Sequence, residues 1–207
     1  MSFRLLLLFS TACCSLGFAQ EPASVGLTGG AVFSKPLLSE FGSLPAGTTT
    51  SSTFASVSGI LRVPLKGTLF IQSEPAYVRK GLVWHETLYG YAYSLTASAD
   101  YVELPVFLGT SFILGPISTY LMIGPGVAYK LSEKTDFGVN WGSTPDLYVR
   151  YDVSLNGGGG LLYRVAQPAS ILLEARYSIG LNQVNASGSG MLRSSEIRLA
   201  AGLLFNL

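Results

Sequence analysis

The chain has 207 residues, a net charge of +1, 48% hydrophobic residues and only 12% charged ones, against about 25% charged in an ordinary soluble domain. So few charges make a poor water-facing surface, and the near-neutral balance excludes the concentrated basic face that nucleic acid requires. Beyond the N-terminus no stretch approaches the roughly 18 uninterrupted apolar residues of a membrane helix, which leaves the β-barrel, where only alternate residues meet lipid, as the membrane architecture open to this chain.

The first residues carry one early positive charge, Arg4, then an apolar run from Leu5, then the small residues Gly17 and Ala19. This pattern predicts a secretory signal peptide over residues 1–19, cut after Ala19, and a single barrel domain over residues 20–207. Both cysteines, Cys13 and Cys14, fall inside the signal segment. The mature chain would then hold neither a disulfide nor a thiolate metal site.

Alternation of apolar and polar residues predicts eight strands, each long enough to cross a bilayer at a tilt. They lie near residues 24–33, 53–63, 68–78, 100–112, 117–129, 151–163, 169–181 and 195–207. After the second, fourth and sixth strands the chain turns quickly, at Pro64-Leu65-Lys66-Gly67, Leu114-Gly115-Pro116 and Ala166-Gln167-Pro168. After the others it runs through longer Ser, Thr, Gly and Asn segments, the short-turn and long-loop asymmetry of an outer-membrane barrel. The fold class is therefore all-β, an eight-stranded antiparallel up-and-down transmembrane barrel. Pro75, Pro105 and Pro125 fall within strands, where each removes a ladder hydrogen bond. Pro125, between Gly124 and Gly126, is expected to mark a bulge, and Asn156-Gly157-Gly158-Gly159-Gly160 a kinked strand with room for bulky neighbours.

Charges keep to one row of each strand. With the apolar rows facing lipid, Arg62, Gln72, Glu74, Glu103, Glu174, Arg176, Glu196 and Arg198 all point into the lumen. An eight-stranded barrel is only just wide enough to be filled by its own side chains, so these groups are expected to pair with one another and seal it, because an unpaired buried charge is costly. They also fix the register. A one-residue slip of the last strand would turn Arg198 into lipid at roughly 2–4 kcal/mol. A soluble lipocalin-like carrier shows the same alternation with the apolar row turned inward, and the scarcity of charge on either row favours the membrane.

Tyr101-Val102-Glu103-Leu104-Pro105-Val106-Phe107-Leu108 resembles the Y-x-E-x-P strand of the PorT-like outer-membrane β-barrel family, followed by a turn and a strand with Ile123-Gly124-Pro125-Gly126. The likeness is clear over residues 101–129, softer from Arg176 onward and only topological before residue 100. It implies an eight-stranded barrel in the outer membrane of a Gram-negative cell, mostly without assigned activity, some members being similar to parts of a secretion apparatus. Separately, Gly202, Phe205 and Leu207 resemble the C-terminal signal read by the barrel-assembly machinery, with Ala200 where a polar residue is usual.

His85, the only histidine, stands beside Glu86 in the segment after the third strand. As a base with a helper it would suit a membrane-embedded enzyme, but no G-x-S-x-G nucleophile accompanies it. One His and no mature Cys argue against a transition-metal site, and no cofactor is expected. Trp84, Tyr89, Tyr91 and Tyr93 form either a strand extension with an interfacial girdle or a partner surface. The expected function is a monomeric, non-enzymatic envelope protein without an open pore. Its expected partners are outer-membrane lipid, the assembly machinery and an envelope protein; the alternatives are a barrel enzyme or a soluble carrier.

Overall fold

The computed structural model describes residues 22–39, 48–88, 91–136, 149–182 and 191–207. They form nine antiparallel segments: β1 (Ser24–Ser39), β2 (Thr48–Pro64), β3 (Leu69–Ser73), β4 (Ala76–Leu88), β5 (Tyr91–Leu114), β6 (Ile117–Asp136), β7 (Tyr151–Ala166), β8 (Ala169–Gly180) and β9 (Met191–Asn206). β1 pairs with both β2 and β9, so the sheet closes on itself and has no free edge. Closure satisfies the backbone of every strand without water, which is the condition for crossing hydrocarbon.

β3 and β4 are a single crossing of the wall, since both lie between β2 and β5. The ring therefore has eight strands, as the alternation predicts. Pro75 causes the break. Its carbonyl still accepts from the Gly59 amide at 2.9 Å, and the Glu74 amide donates to Pro105 at 3.2 Å, so the gap in the ladder stays narrow.

The outer surface is apolar. Val25, Leu27, Val57, Leu61, Leu104, Val106, Leu108, Leu121, Ile123, Val127, Leu155, Leu173, Ile197, Leu199 and Leu203 are all exposed. Aromatic side chains bound this band at both ends. Tyr77, Tyr129 and Tyr151 lie at the end carrying the long connections, with the Tyr129 and Tyr151 rings 5.2 Å apart, and Phe112, Tyr163 and Phe205 lie at the short-turn end. From Tyr151 to Tyr163 along β7 the rise is about 3.3 Å per residue. At a tilt of about 40° this spans about 30 Å, the thickness of a bilayer's hydrocarbon core. A lipocalin-like arrangement would reverse these rows, so the outward leucines and isoleucines decide against it.

The strands run past the expected limits, and three expectations change. The segment holding His85 is no long loop, because β4 continues to Leu88 and β5 begins at Tyr91, with His85 opposite Ser94 in the ladder. Trp84, Tyr91 and Tyr93 thus stand on strand extending above the bilayer, the period of two outlasting the hydrophobic span. Pro125 marks no bulge: Gly126 pairs with Pro105 and Ile123 with Leu108, three residues on along each strand, so the register is unchanged. Outward orientation of the proline ring makes this tolerable. The bulges lie instead near Ser51 to Ser56, at Asp100 and Tyr101, and at Arg164 to Ala166.

The glycine run of β7 keeps an unbroken register with β6, so it carries no bulge. It does make room: a Cβ on Gly160 would meet the Tyr120 hydroxyl at 2.6 Å and the Leu173 carbonyl. Replacing Gly160 with Val should therefore overpack the lumen and destabilise the barrel by about 1–3 kcal/mol, read as a lower urea midpoint for the protein folded in lipid vesicles.

Candidate functional site

The lumen is filled from the strands inward, in two ionic clusters above an apolar plug. The plug consists of Ile60, Phe70, Phe107, Tyr120, Met122, Leu172 and Leu204, with Leu162 packed against it. It lies in the half nearer the short turns. Inward rows with an apolar residue among polar ones supply it, as Leu172 does below Glu174 and Arg176.

The lower cluster sits directly on this plug. Arg176 forms salt bridges with Glu74 and, at 2.5 Å, with Glu174. The Tyr120 hydroxyl donates to Glu174 at 2.7 Å, and the Gln72 amide donates to Glu74. Arg62 donates from Nε to the Gln72 carbonyl oxygen at 2.5 Å, and its guanidinium lies 4.3 Å from the ring centres of both Phe70 and Tyr120. Arg176 stacks similarly on Phe107 at 4.6 Å. Two guanidiniums and two carboxylates thus balance, each cation also held by an aromatic face.

The upper cluster is centred on Lys80. Its ammonium lies 2.6 Å from Glu103 and 2.6 Å from Glu196, and 3.8 Å from Asp152. Arg198 donates to Glu103 at 2.6 Å. Between the clusters a polar layer carries Asn156, bonded to Ser178 and, at 3.0 Å, to Ser154.

Every lumenal charge expected from the sequence, Arg62, Glu74, Glu103, Glu174, Arg176, Glu196 and Arg198, is directed inward and joins one of the two clusters. Lys80 and Asp152 are the members that sequence reasoning missed. Lys80 lay beyond the expected end of its strand at Val78, although it continues the inward row of Ala76 and Val78; Asp152 stands at the second residue of β7, on the inward row with Asn156. Extending the period of two by one repeat would have found Lys80, and Asp152 already stood within the expected strand, two repeats from Asn156 on the same row.

Register shows why the network is needed. Arg176 stands directly opposite Arg198 on neighbouring strands, a like-charge pair that is unfavourable on its own. The two turn apart, Arg176 toward Glu74 of the β3–β4 connection and Arg198 toward Glu103 of β5.

The other sequence candidates lie elsewhere. Phe205 and Leu207 face outward near the lower rim, while Gly202 sits so close to β1 that a Cβ would strike the Leu27 carbonyl. Trp84 pairs with Leu95, Tyr93 with Glu86 and Tyr91 with Leu88 in the β4–β5 extension. The side chains of Trp84, His85, Tyr91 and Tyr93, the whole of Tyr89, and residues 1–19 of the expected signal peptide lie outside the described residues. Among the described residues no group of His, Cys, Asp and Glu is arranged to hold a metal ion.

A closed ring of eight strands, apolar outside and ionic within, agrees with comparison to known families: residues 18–185 match the model of the outer membrane protein beta-barrel domain. The chain belongs to this family. That membership places it in the outer membrane of Gram-negative bacteria. Among solved structures it is similar to the outer membrane protein OprG from Pseudomonas aeruginosa, at 10% identity and a TM-score of 0.62, covering 92% of this chain and 98% of that one. It is also similar to Neisserial surface protein A, at 17% identity and a TM-score of 0.51, covering 90% of this chain and 100% of that one. At such identities these likenesses concern the fold alone. A search of curated proteins finds no match.

Replacing Lys80 with Met would leave Glu103, Glu196 and Asp152 facing one another around an apolar side chain. Removing one partner from a buried ionic group costs about 3–5 kcal/mol, so the variant should unfold at a markedly lower urea concentration in vesicles. Adding Glu196→Gln should restore part of that loss, a non-additive pair in a double-mutant cycle.

Proposed function

We propose that this protein is a closed, monomeric and non-enzymatic barrel whose role is structural or interactive, its extracellular end being the working surface. The observation that carries the reading is the filled lumen. Lys80 bridging Glu103 and Glu196, and Arg176 bridging Glu74 and Glu174, join strands on opposite sides of the ring above an apolar plug. A wire of water would have to displace paired charges whose isolation in the barrel is costly.

The β4–β5 extension supports the interactive part. It rises past Tyr77 and Tyr129, the aromatic belt of that end, and carries Trp84, Tyr91 and Tyr93 on paired strand, which gives aromatic residues a firm backbone above the lipid. Aromatic side chains on ordered backbone suit contact with an envelope protein partner. The Y-x-E-x-P strand with its turn and following strand supports a PorT-like assignment, and with it a place in envelope or secretion assembly. The outward Phe205 and Leu207 beside the tightly packed Gly202 suit recognition by the barrel-assembly machinery before insertion. Export through a signal peptide cleaved after Ala19 completes the reading.

Purified protein inserted into planar bilayers should give no stable open-channel steps, and the His85→Ala variant should retain whatever envelope phenotype the wild type supports. Regular conductance steps that vanish when the Lys80 cluster is altered would overturn the closed-barrel reading. Loss of a lipid- or peptide-directed activity on His85→Ala, with the barrel still folded, would overturn the non-enzymatic one.

A further inference from the structure

The short-turn end of the barrel is not filled to its rim. A cavity of about 360 Å³ opens there, beneath the plug, with Phe70, Leu162 and Leu204 at its blind end. That volume lies within the range of small-molecule sites. Its chemistry is one-sided. Two arginines line it, Arg62 at the inner end and Arg164 near the turn at Gln167 and Pro168, while none of the described lining residues is Asp or Glu. Ser24, Ser118, Ser170 and Asn206 add short polar side chains around the wall.

Arg62 supplies the second observation. Its side chain is buried, only 7% of the residue being accessible, and Nη2 makes no hydrogen bond among the described residues, although Nε is held by Gln72. The carboxylates of the lower cluster are engaged by Arg176, Tyr120 and Gln72. A buried guanidinium with one nitrogen to spare, at the end of a cavity whose described lining carries no acidic side chain, is arranged for an oxyanion, since planar carboxylate and phosphate groups match its fork. Arg164, exposed at the mouth, adds positive potential where the ligand would enter.

We propose that the periplasmic mouth of the barrel binds the oxyanion group of a small periplasmic solute, a carboxylate or a phosphate, with Arg62 as inner anchor and Arg164 at the rim. The proposal does not depend on the closed-barrel reading, because the ligand enters and leaves on the periplasmic side and crosses nothing. The surrounding hydroxyl and amide groups accept or donate to the rest of the solute.

The test uses the full barrel refolded in lipid nanodiscs and observed by amide NMR during titration with inorganic phosphate, acetate and, as an uncharged control, glycerol. Saturable shifts confined to Ser24, Ser118, Ser170 and Asn206 with phosphate or acetate, and absent with glycerol, are expected. A stronger response to phosphate identifies a phosphate-bearing ligand and a stronger one to acetate a carboxylate. Arg164→Gln, at an exposed position that leaves the interior untouched, should weaken the response about tenfold, the size expected for one charge-assisted contact. Arg62→Lys keeps the charge but loses the fork and should weaken it as well. Shifts that fail to saturate, that glycerol reproduces, or that both variants leave unchanged would overturn the proposal.

Discussion

A charged side chain on this barrel has only one place to go. Hydrocarbon surrounds the wall over about 30 Å, and a guanidinium turned into it costs a few kcal/mol near the midplane, so ionic groups collect on the axis. Once there they cannot stand alone. The two clusters around Arg176 and Lys80 are the result, and they in turn set strand register, because each inward residue must meet partners contributed by distant strands.

Aromatic residues take two different parts in this arrangement. On the outside, tyrosines and phenylalanines mark the two boundaries between hydrocarbon and headgroups, where a ring with a polar edge is well placed. Inside, Phe70, Phe107 and Tyr120 lie against guanidiniums and let cations rest on an apolar plug. The glycines of β7 belong to the same design: with no side chain at Gly160, which pairs with both residues, Tyr120 of β6 can reach over β7 to Glu174 of β8.

Much of this was legible because a period of two is a direct image of a two-sided wall. The number of crossings, the outward row of β9 from Ile197 to Leu207, and the inward charges at Glu174, Arg176, Glu196 and Arg198 all follow from it. Strand ends are less legible, since alternation continues where the bilayer stops, and for that reason His85 and Lys80 lie on strand beyond the expected end at Val78. The apolar plug escaped notice because an inward leucine such as Leu172 or Leu204 carries no mark that separates it from a lipid-facing one. Pro75 was visible as a breaker, but only the amides of Gly59 and Glu74 reveal how the wall stays closed around it. Nor could sequence alone show that Arg62 ends with a free nitrogen above an open mouth, since that depends on where Gln72, Phe70 and Tyr120 meet it.

The face-to-face arginines of β8 and β9 also bear on assembly order. Arg198 draws its carboxylate from β5 and Arg176 draws one of its two from the connection between β3 and β4. The final hairpin by itself therefore offsets this pair only through Glu174, and the carboxylates of Glu74 and Glu103 come from the N-terminal half of the chain. Such a hairpin is a poor free-standing nucleus, and the seam between β1 and β9 gains its full strength only when the whole cylinder has gathered around its charges.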